Sequence, residues 1–541
     1  MVRLGEAVSS KFAIYAIGVY VVIPLLISVT ASIILFKFFF RSSSQGKNAQ
    51  EKFPSFFLWV AIIIYCSIFG TMSILRYLSF HTTFFDLGIY DHAIWNIAKR
   101  GDLSYLYWGH FRPIVGIYSF FYRLFPSAIT LLVLQTLAIG LSAVPLYYIA
   151  KDKLGHGFYG LVIVIIFFLY SPVEYNNLEN FHADHLIILF MFLGFYFLEK
   201  DKPFTFLLVC LPGLFLKEPL ILSISMMGFY AVVRHRMYKS GTFVFVGSLL
   251  FFFLVINVIM PGLTGIDNGE GFKRSFSYLG NNVFEIVKTT LFHPGLIVKE
   301  LINVWKLAYL AFIFVPLLFI PLISPLSLLP ALPALTISLL SRLPNHYWIQ
   351  YHYTAAVIPG LFISLIYGLK FLGDRAGHLS VWFKKLVWIN LSKDRVLKTS
   401  VCTILIVCLY YNVVLSPSPI SVFFWKKRVW QQASNRYYRN FYVIEKRDRI
   451  LDNTVREFIS REASVSLQNS VNSSYLAHRE DYYSFPHKID EVDYVVLDQK
   501  RAHYVMDKLD EEEYEKEFDK LMKSHQIIFS YDGIYIFKRV K

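Results

Sequence analysis

Charged residues are scarce. Asp, Glu, Lys and Arg make up 17% of the 541 residues, against about 25% in soluble domains. With 55% of residues hydrophobic, 18% aromatic and a mean hydropathy of +0.48, that shortage excludes an ordinary soluble globular protein. The four cysteines, Cys66, Cys210, Cys402 and Cys408, all lie in apolar runs without metal-ligand spacing. They read as small apolar residues and do not report the redox compartment. The chain carries no Walker A loop, dinucleotide fingerprint, HExxH helix or GxSxG elbow, which argues against an ATP-driven pump and against the familiar hydrolases. Internal repeats and low-complexity tracts are absent, and so is any nucleic-acid motif. The formal charge of +15 therefore points to membrane topology rather than to nucleic acid, because Lys and Arg collect in cytoplasmic loops.

What the chain has in quantity is long apolar runs. Runs of about 15–25 apolar residues can span a hydrocarbon core about 30 Å thick, and several of the segments below are too short to cross alone, as short or broken helices packed on protein can be. The pattern predicts an α-helical polytopic membrane protein with about twelve segments. They lie near 12–39, 54–76, 127–150, 156–173, 185–199, 203–216, 219–233, 241–260, 302–323, 325–341, 353–372 and 399–417. The first run lacks a small-residue cleavage site and reads as a retained anchor rather than a signal peptide.

Basic residues cluster in alternate loops: around Lys37, Arg41, Lys47 and Lys52; at Lys151 and Lys153; at Lys200 and Lys202; at Arg234, Arg236 and Lys239; and from Arg375 to Lys398. One consistent alternation puts all of these in the cytoplasm. The segments 77–126, 174–184, 217–218, 261–301 and 342–352, and everything after about 420, are then extracytoplasmic. After 420 charge becomes dense, and Val-, Ile- and Tyr-rich segments (463–468, 494–498, 527–537) alternate with helical patterns (448–460, 502–525). The domain reading is a multi-span domain over 1–420, with interfacial helices in its 77–126 loop, and a small extracytoplasmic α/β domain over 421–541.

Four polar motifs fall on that outer side: FDLGIYD (Phe85 to Asp91), ENFHADH (Glu179 to His185), Lys217-Glu218 and NHYWIQYHY (Asn345 to Tyr353). Polar groups kept at a membrane edge need a reason. Asp86 opens a stretch with apolar residues at helical spacing (Leu87, Tyr90, Ile94, Ile97), as in a helix lying in the interface. There it is either an N-cap or a carboxylate able to take a proton from a sugar or lipid hydroxyl. Asp91 is a secondary candidate or a solvated helix residue. His110 and Arg112 follow in the same loop, and Arg112 has the planar fork that suits phosphate.

The second motif holds Asn180, His182, Asp184 and His185. These residue types suit a divalent metal, hydrogen bonding to Asp86 or to a substrate phosphate, or a plain polar loop. Lys217 and Glu218 interrupt an apolar stretch; they form either a hairpin ion pair or a contact to lipid phosphate, and as neighbours on a helix they need different partners. Arg342, His346, Tyr351 and His352 suit an anionic headgroup, or an aromatic belt with a snorkelling Arg. The 261–301 loop, with Asp267, Glu270, Lys273 and Arg274, is either a mobile cover over a substrate or an ordinary surface loop.

FDLGIYDHAIWN (Phe85 to Asn96), NFHADH, the Lys-Glu pair and QYHYTAAVIPGLF (Gln350 to Phe362) resemble the uncharacterised bacterial and archaeal membrane-protein family catalogued as domain of unknown function 2079. ASVSLQNSVNSSYLAHREDYYSFP (Ala463 to Pro486) and DYVVLD (Asp493 to Asp498) resemble its outer domain. That family is similar in layout to the GT-C glycosyltransferases, multi-span enzymes that use lipid-phosphate-linked sugars. The resemblance implies Asp86 as the first-loop catalytic carboxylate and His182 and Asp184 as second-loop supporting groups. It implies an inverting membrane glycosyltransferase with a polyprenyl-phosphate sugar as donor. A glycan, protein or lipid would be the acceptor, membrane lipid the surroundings and the cell envelope the setting. A divalent metal is a further option, and nucleic acid is not expected as a partner. The alternatives are a lipid or solute transporter or flippase, and a non-catalytic envelope protein.

Overall fold

The computed structural model describes residues 22–41, 52–107, 109–264, 274–377, 392–426, 437–504, 509 and 511–540. Asp267, Glu270 and Lys273 lie outside the described residues. Among those described, five helices are long and apolar enough to cross a membrane: Ser55–Leu78, Ala128–Leu154, Tyr238–Gly262, Val357–Asp374 and Lys393–Leu415. Two bent pairs bring the number to seven: Gly157–Leu169 with Ser171–Leu178, bent by 53°, and Pro294–Leu301 with Val304–Leu317, bent by 74°. Each of the seven overlaps a segment expected from the sequence, and the chain is a multi-pass membrane protein.

Among the described residues the count of twelve is not reached, and part of the difference has a local cause. Pro203–Gly213 is an 11-residue helix with Pro at its start and Pro212 inside it, and Leu186–Glu199 has 14 residues. Glu218–His235 has charged ends. In 325–340 a proline-rich 3-10 stretch, Pro325–Ala331, precedes the short helix Leu332–Leu340. Proline removes a donor and breaks helical hydrogen bonding, so the runs at 203–213 and 325–340 fold as short pieces.

The chain folds as two compact units. The first comprises Met1–Tyr65, Ala138–Asn176 and Asp184–Phe424; the second comprises Cys66–Leu137, Asn177–Ala183 and Trp425–Lys541. In the first unit, the polar run from Glu174 to Asn176, expected in a loop, continues the bent helix Ser171–Leu178. Glu174 is buried and accepts from Asn412 Nδ2 at 2.6 Å and from the Ser416 hydroxyl. Asn176 donates to Thr354 Oγ1 at 2.5 Å. A buried carboxylate in an apolar bundle is tolerated because donors surround it.

The tail of the second unit is a five-stranded sheet in the order β2-β1-β3-β5-β4. The strands are β1 (Val465–Leu467), β2 (Tyr482–Ser484), β3 (Tyr494–Asp498), β4 (His525–Tyr531) and β5 (Ile534–Arg539). β1 runs parallel to both β2 and β3, and β5 is antiparallel to β3 and β4. The segment 527–537, expected as one β-like run, is a hairpin. Asp532 and Gly533 both take positive φ (50° and 83°), the backbone that an Asp-Gly two-residue turn supplies. Helices Lys446–Phe458 and Glu511–Ser524 lie close to the two helical patterns read from sequence.

One face of the sheet packs Val465, Leu467, Val496 and Ile536 against Leu451 and Val455, and against Phe80 and Phe84 from the 77–126 loop. The loop therefore supplies part of the core of the tail. Phe84 stacks on Tyr482 at 4.4 Å. A Cβ added at Gly88 would lie 2.6 Å from Tyr482 Oη and 3.0 Å from Asn472 Oδ1, so the glycine in FDLGI is required by this close approach. Gly88→Val is expected to destabilise the protein by about 1–3 kcal/mol through overpacking. Gly88→Ala combined with Tyr482→Phe, which removes the clashing oxygen, should recover part of that loss, as read from thermal midpoints in detergent.

Candidate functional site

The 77–126 loop enters a helical stretch at Phe84 that runs through Phe84–Gly88, Ile89–Trp95 and Asn96–Arg100. Asp86 lies in its first turn and Thr83 holds the cap position, so Asp86 is not the N-cap. Asp86 Oδ2 accepts from Thr83 Oγ1 at 3.1 Å and from Asn180 Nδ2 at 3.0 Å. Oδ1 faces His182 Nε2 at 3.8 Å, and the same imidazole nitrogen lies 3.5 Å from Glu179 Oε2. The Asp86 side chain is 31% exposed, whereas His182 and Glu179 are buried. Both carboxylates thus converge on His182 Nε2, and Asp86 is the accessible one of the three.

Asn180 adopts φ +52°, a left-handed conformation that Asn tolerates better than most residues. Its Oδ1 also accepts from the Thr83 backbone N–H at 3.2 Å. Gln135 supports the same turn: Nε2 donates to the Asn177 and Asn180 carbonyls, and Oε1 accepts from the His182 backbone N–H at 2.9 Å. Arg76 donates to the Leu178 carbonyl. Sequence reading missed Gln135 and Arg76. Buried polar side chains inside predicted spans were the available signal.

Asp91 is fully buried rather than solvated. Its Oδ1 lies 3.1 Å from His478 Nε2, which is also 2.8 Å from Tyr122 Oη, and Trp95 stacks on the His478 ring at 5.5 Å. His92 was not proposed as a site residue. Its Nδ1 meets the Ala477 carbonyl at 2.8 Å and its Nε2 meets Tyr105 Oη at 3.1 Å. Arg112 is buried with its guanidinium 4.5 Å from the Tyr90 ring centre. Tyr90 in turn packs edge-on against Phe181 and His182. His110 is half-buried in the same loop.

In the first unit, Lys217 ends the break between helices Pro203–Gly213 and Glu218–His235. Its ammonium lies 3.2 Å from Asp184 Oδ2, and the same oxygen is 3.9 Å from His352 Nε2. His346 and His352 both pack on the Tyr353 ring at 4.2 Å. Burial first, and then the charges of Lys217 and His352, lower His346 to about 4. Glu218, His185 and Gln350 are buried, and Tyr351 is half-buried. Arg342 belongs to a separate cluster: it is exposed, pairs with Glu300 at 3.3 Å and stacks over Tyr278 at 4.0 Å, while Lys306 takes the other Glu300 oxygen at 2.9 Å.

Two predictions follow from burial. His92 falls from 6.5 to about 4, chiefly through burial, against the favourable Ala477 carbonyl. Its neutral form therefore contributes stability in full above pH 6.5, and that contribution is lost as pH falls toward 4. Acidification from pH 7 to 5 should cost about 2 kcal/mol from this group, and His92→Gln should flatten that limb of the midpoint-versus-pH curve. Lys217→Met leaves the buried Asp184 carboxylate without its ammonium and should destabilise by about 3–5 kcal/mol. Adding Asp184→Asn should restore most of the thermal midpoint.

The family model described as "Predicted membrane protein (DUF2079)" matches residues 76–534. No curated protein matches the chain. Among solved structures, the crystal structure of ArnT from Cupriavidus metallidurans bound to undecaprenyl phosphate aligns at a TM-score of 0.48. Its sequence identity is 11%, and the alignment covers 91% of this chain and 99% of that one. The family match takes in both the FDLGIYD loop and the tail through β4, and the chain belongs to the DUF2079 family of membrane proteins.

Proposed function

We propose that the chain is a membrane glycosyltransferase that takes a sugar from a polyprenyl-phosphate carrier at the extracytoplasmic face, with Asp86 as general base. The observation that carries this reading is the Asp86 carboxylate. One oxygen is fixed by Thr83 and Asn180 while the other faces His182, on a side chain that keeps solvent access. A base held this way is oriented before substrate arrives, which is what efficient proton abstraction needs. The acceptor hydroxyl oxygen bonds to the anomeric carbon as its proton passes to Asp86. The bond from that carbon to the phosphate oxygen breaks, and the polyprenyl phosphate leaves. A single displacement inverts the anomeric centre. The tail from 421 onward would lie on the same extracytoplasmic side.

A lipid transporter or flippase is the second reading, favoured by the two bent helix pairs, since broken helices suit transport sites. The test is reconstitution of the purified protein with polyprenyl-phosphate sugars and an acceptor. Asp86→Asn should lower sugar transfer by about 10³-fold or more. Asp102→Asn, an exposed carboxylate in the same loop, should leave it unchanged. Transfer that survives Asp86→Asn would overturn the proposal, and lipid movement without transfer would favour the second reading.

A further inference from the structure

We propose that Asn469, in the tail, is a positioning residue that, beside Asn180, satisfies the first N–H groups of the helix and so keeps the Phe85 N–H from drawing in the Asp86 carboxylate; this rests on the reading of Asp86 as the base. Thr83-Phe84-Phe85-Asp86 has the spacing of a capping box, in which the fourth residue folds back onto the backbone N–H of the first. The chain makes that motif elsewhere. At the start of Lys446–Phe458 the Asp448 carboxylate accepts from the Glu445 N–H at 2.8 Å, and both reciprocal bonds are present. At Asp86 the motif is interrupted. The Thr83 N–H goes to Asn180 Oδ1 at 3.2 Å, the Phe84 N–H to the Asn469 carbonyl at 2.9 Å, and the Phe85 N–H to Asn469 Oδ1 at 3.0 Å. Asn472 Nδ2 holds the Thr83 carbonyl at 3.3 Å. The first N–H groups of the helix, which usually draw in a local acidic side chain, are already satisfied.

Asn469 stands in a distinctive place. It lies two residues beyond β1, at the carboxyl end of a strand whose connection leads to β2 on one side, while β3 next to it leads on toward β4 and β5 on the other. In open sheets with parallel strands that crevice is where ligands bind. Here the chain's own Phe84 and Phe85 N–H groups meet Asn469 beyond the end of β1. Asn469 is itself 5% exposed, and its neighbour Gln468 is tied across to Asp498 through both amide atoms. The donor-accepting groups are therefore rigidly placed.

Removing the Asn469 side chain leaves the Phe85 N–H without its acceptor, and the carboxylate in the same turn becomes the competing one. A carboxylate that accepts extra backbone N–H groups is a weaker base, and it is turned away from substrate. The experiment uses the full-length protein reconstituted with a polyprenyl-phosphate sugar and acceptor, following transfer against pH. Asn469→Ala should lower kcat by about 10- to 100-fold, leave KM for the lipid donor within about twofold, and move the acidic limb of the kcat profile to lower pH. Asn469→Asp keeps an acceptor and should return kcat to within about threefold of wild type. Unchanged kcat and pH profile in Asn469→Ala would overturn the inference. So would equal losses in both variants accompanied by a fallen thermal midpoint. A structure of Asn469→Ala gives a readout free of activity. The Asp86 carboxylate should move onto the backbone N–H groups, and an unmoved carboxylate refutes positioning even if transfer is never detected. Transfer that survives Asp86→Asn instead refutes the base assignment and leaves that structural outcome standing.

Discussion

A helix that stops near hydrocarbon leaves backbone N–H and C=O groups that no lipid can satisfy, and the second unit is organised around that constraint. The carbonyls at the end of Ser171–Leu178 are taken by Gln135, Arg76 and Ser73. The N–H groups that begin the Asp86 helix are taken by Asn180 and Asn469. Each of these partners is an uncharged or guanidinium donor or acceptor placed by another element. The result is two irregular turns held side by side, with Asp86 and Asn180 bonded across them.

The same economy governs charge. Among the described residues of the first unit, Lys217 pairs with Asp184, Lys306 with Glu300 and Lys153 with Glu199, while the buried Glu174 is held by the Asn412 and Ser416 donors. In the tail, Arg447 forks onto Asp498 at 2.9 and 2.7 Å, and Arg501 meets Asp448. Buried ions are stable only with such partners. Arg342, which suits an anionic headgroup or an aromatic belt, is the exposed member of the Glu300 cluster.

Composition and run length made the membrane class legible, and the Asp-Gly and β-branched patterns made the tail's α/β character legible. Segments broken by proline were not, because apolarity over a window does not register where helical hydrogen bonding stops. Asp91 read as a solvated helix residue because its partner His478 is 387 positions away. Asp86 itself reads as a possible N-cap because the asparagines that take the neighbouring N–H groups come from two distant segments. Gly88 could be seen as a glycine, but the Tyr482 hydroxyl that demands it could not. Local chemistry was visible in the sequence, and long-range satisfaction of backbone groups was not.

Phe80 and Phe84 complete the tail's hydrophobic core, and Asn469 follows Phe85 by 384 residues. During synthesis the early segment therefore emerges long before anything can enclose it, and it must wait through the insertion of nearly every later helix. A chain that stops early never assembles this corner of the molecule. Completion of translation itself becomes the condition for closing the core around Phe80 and Phe84.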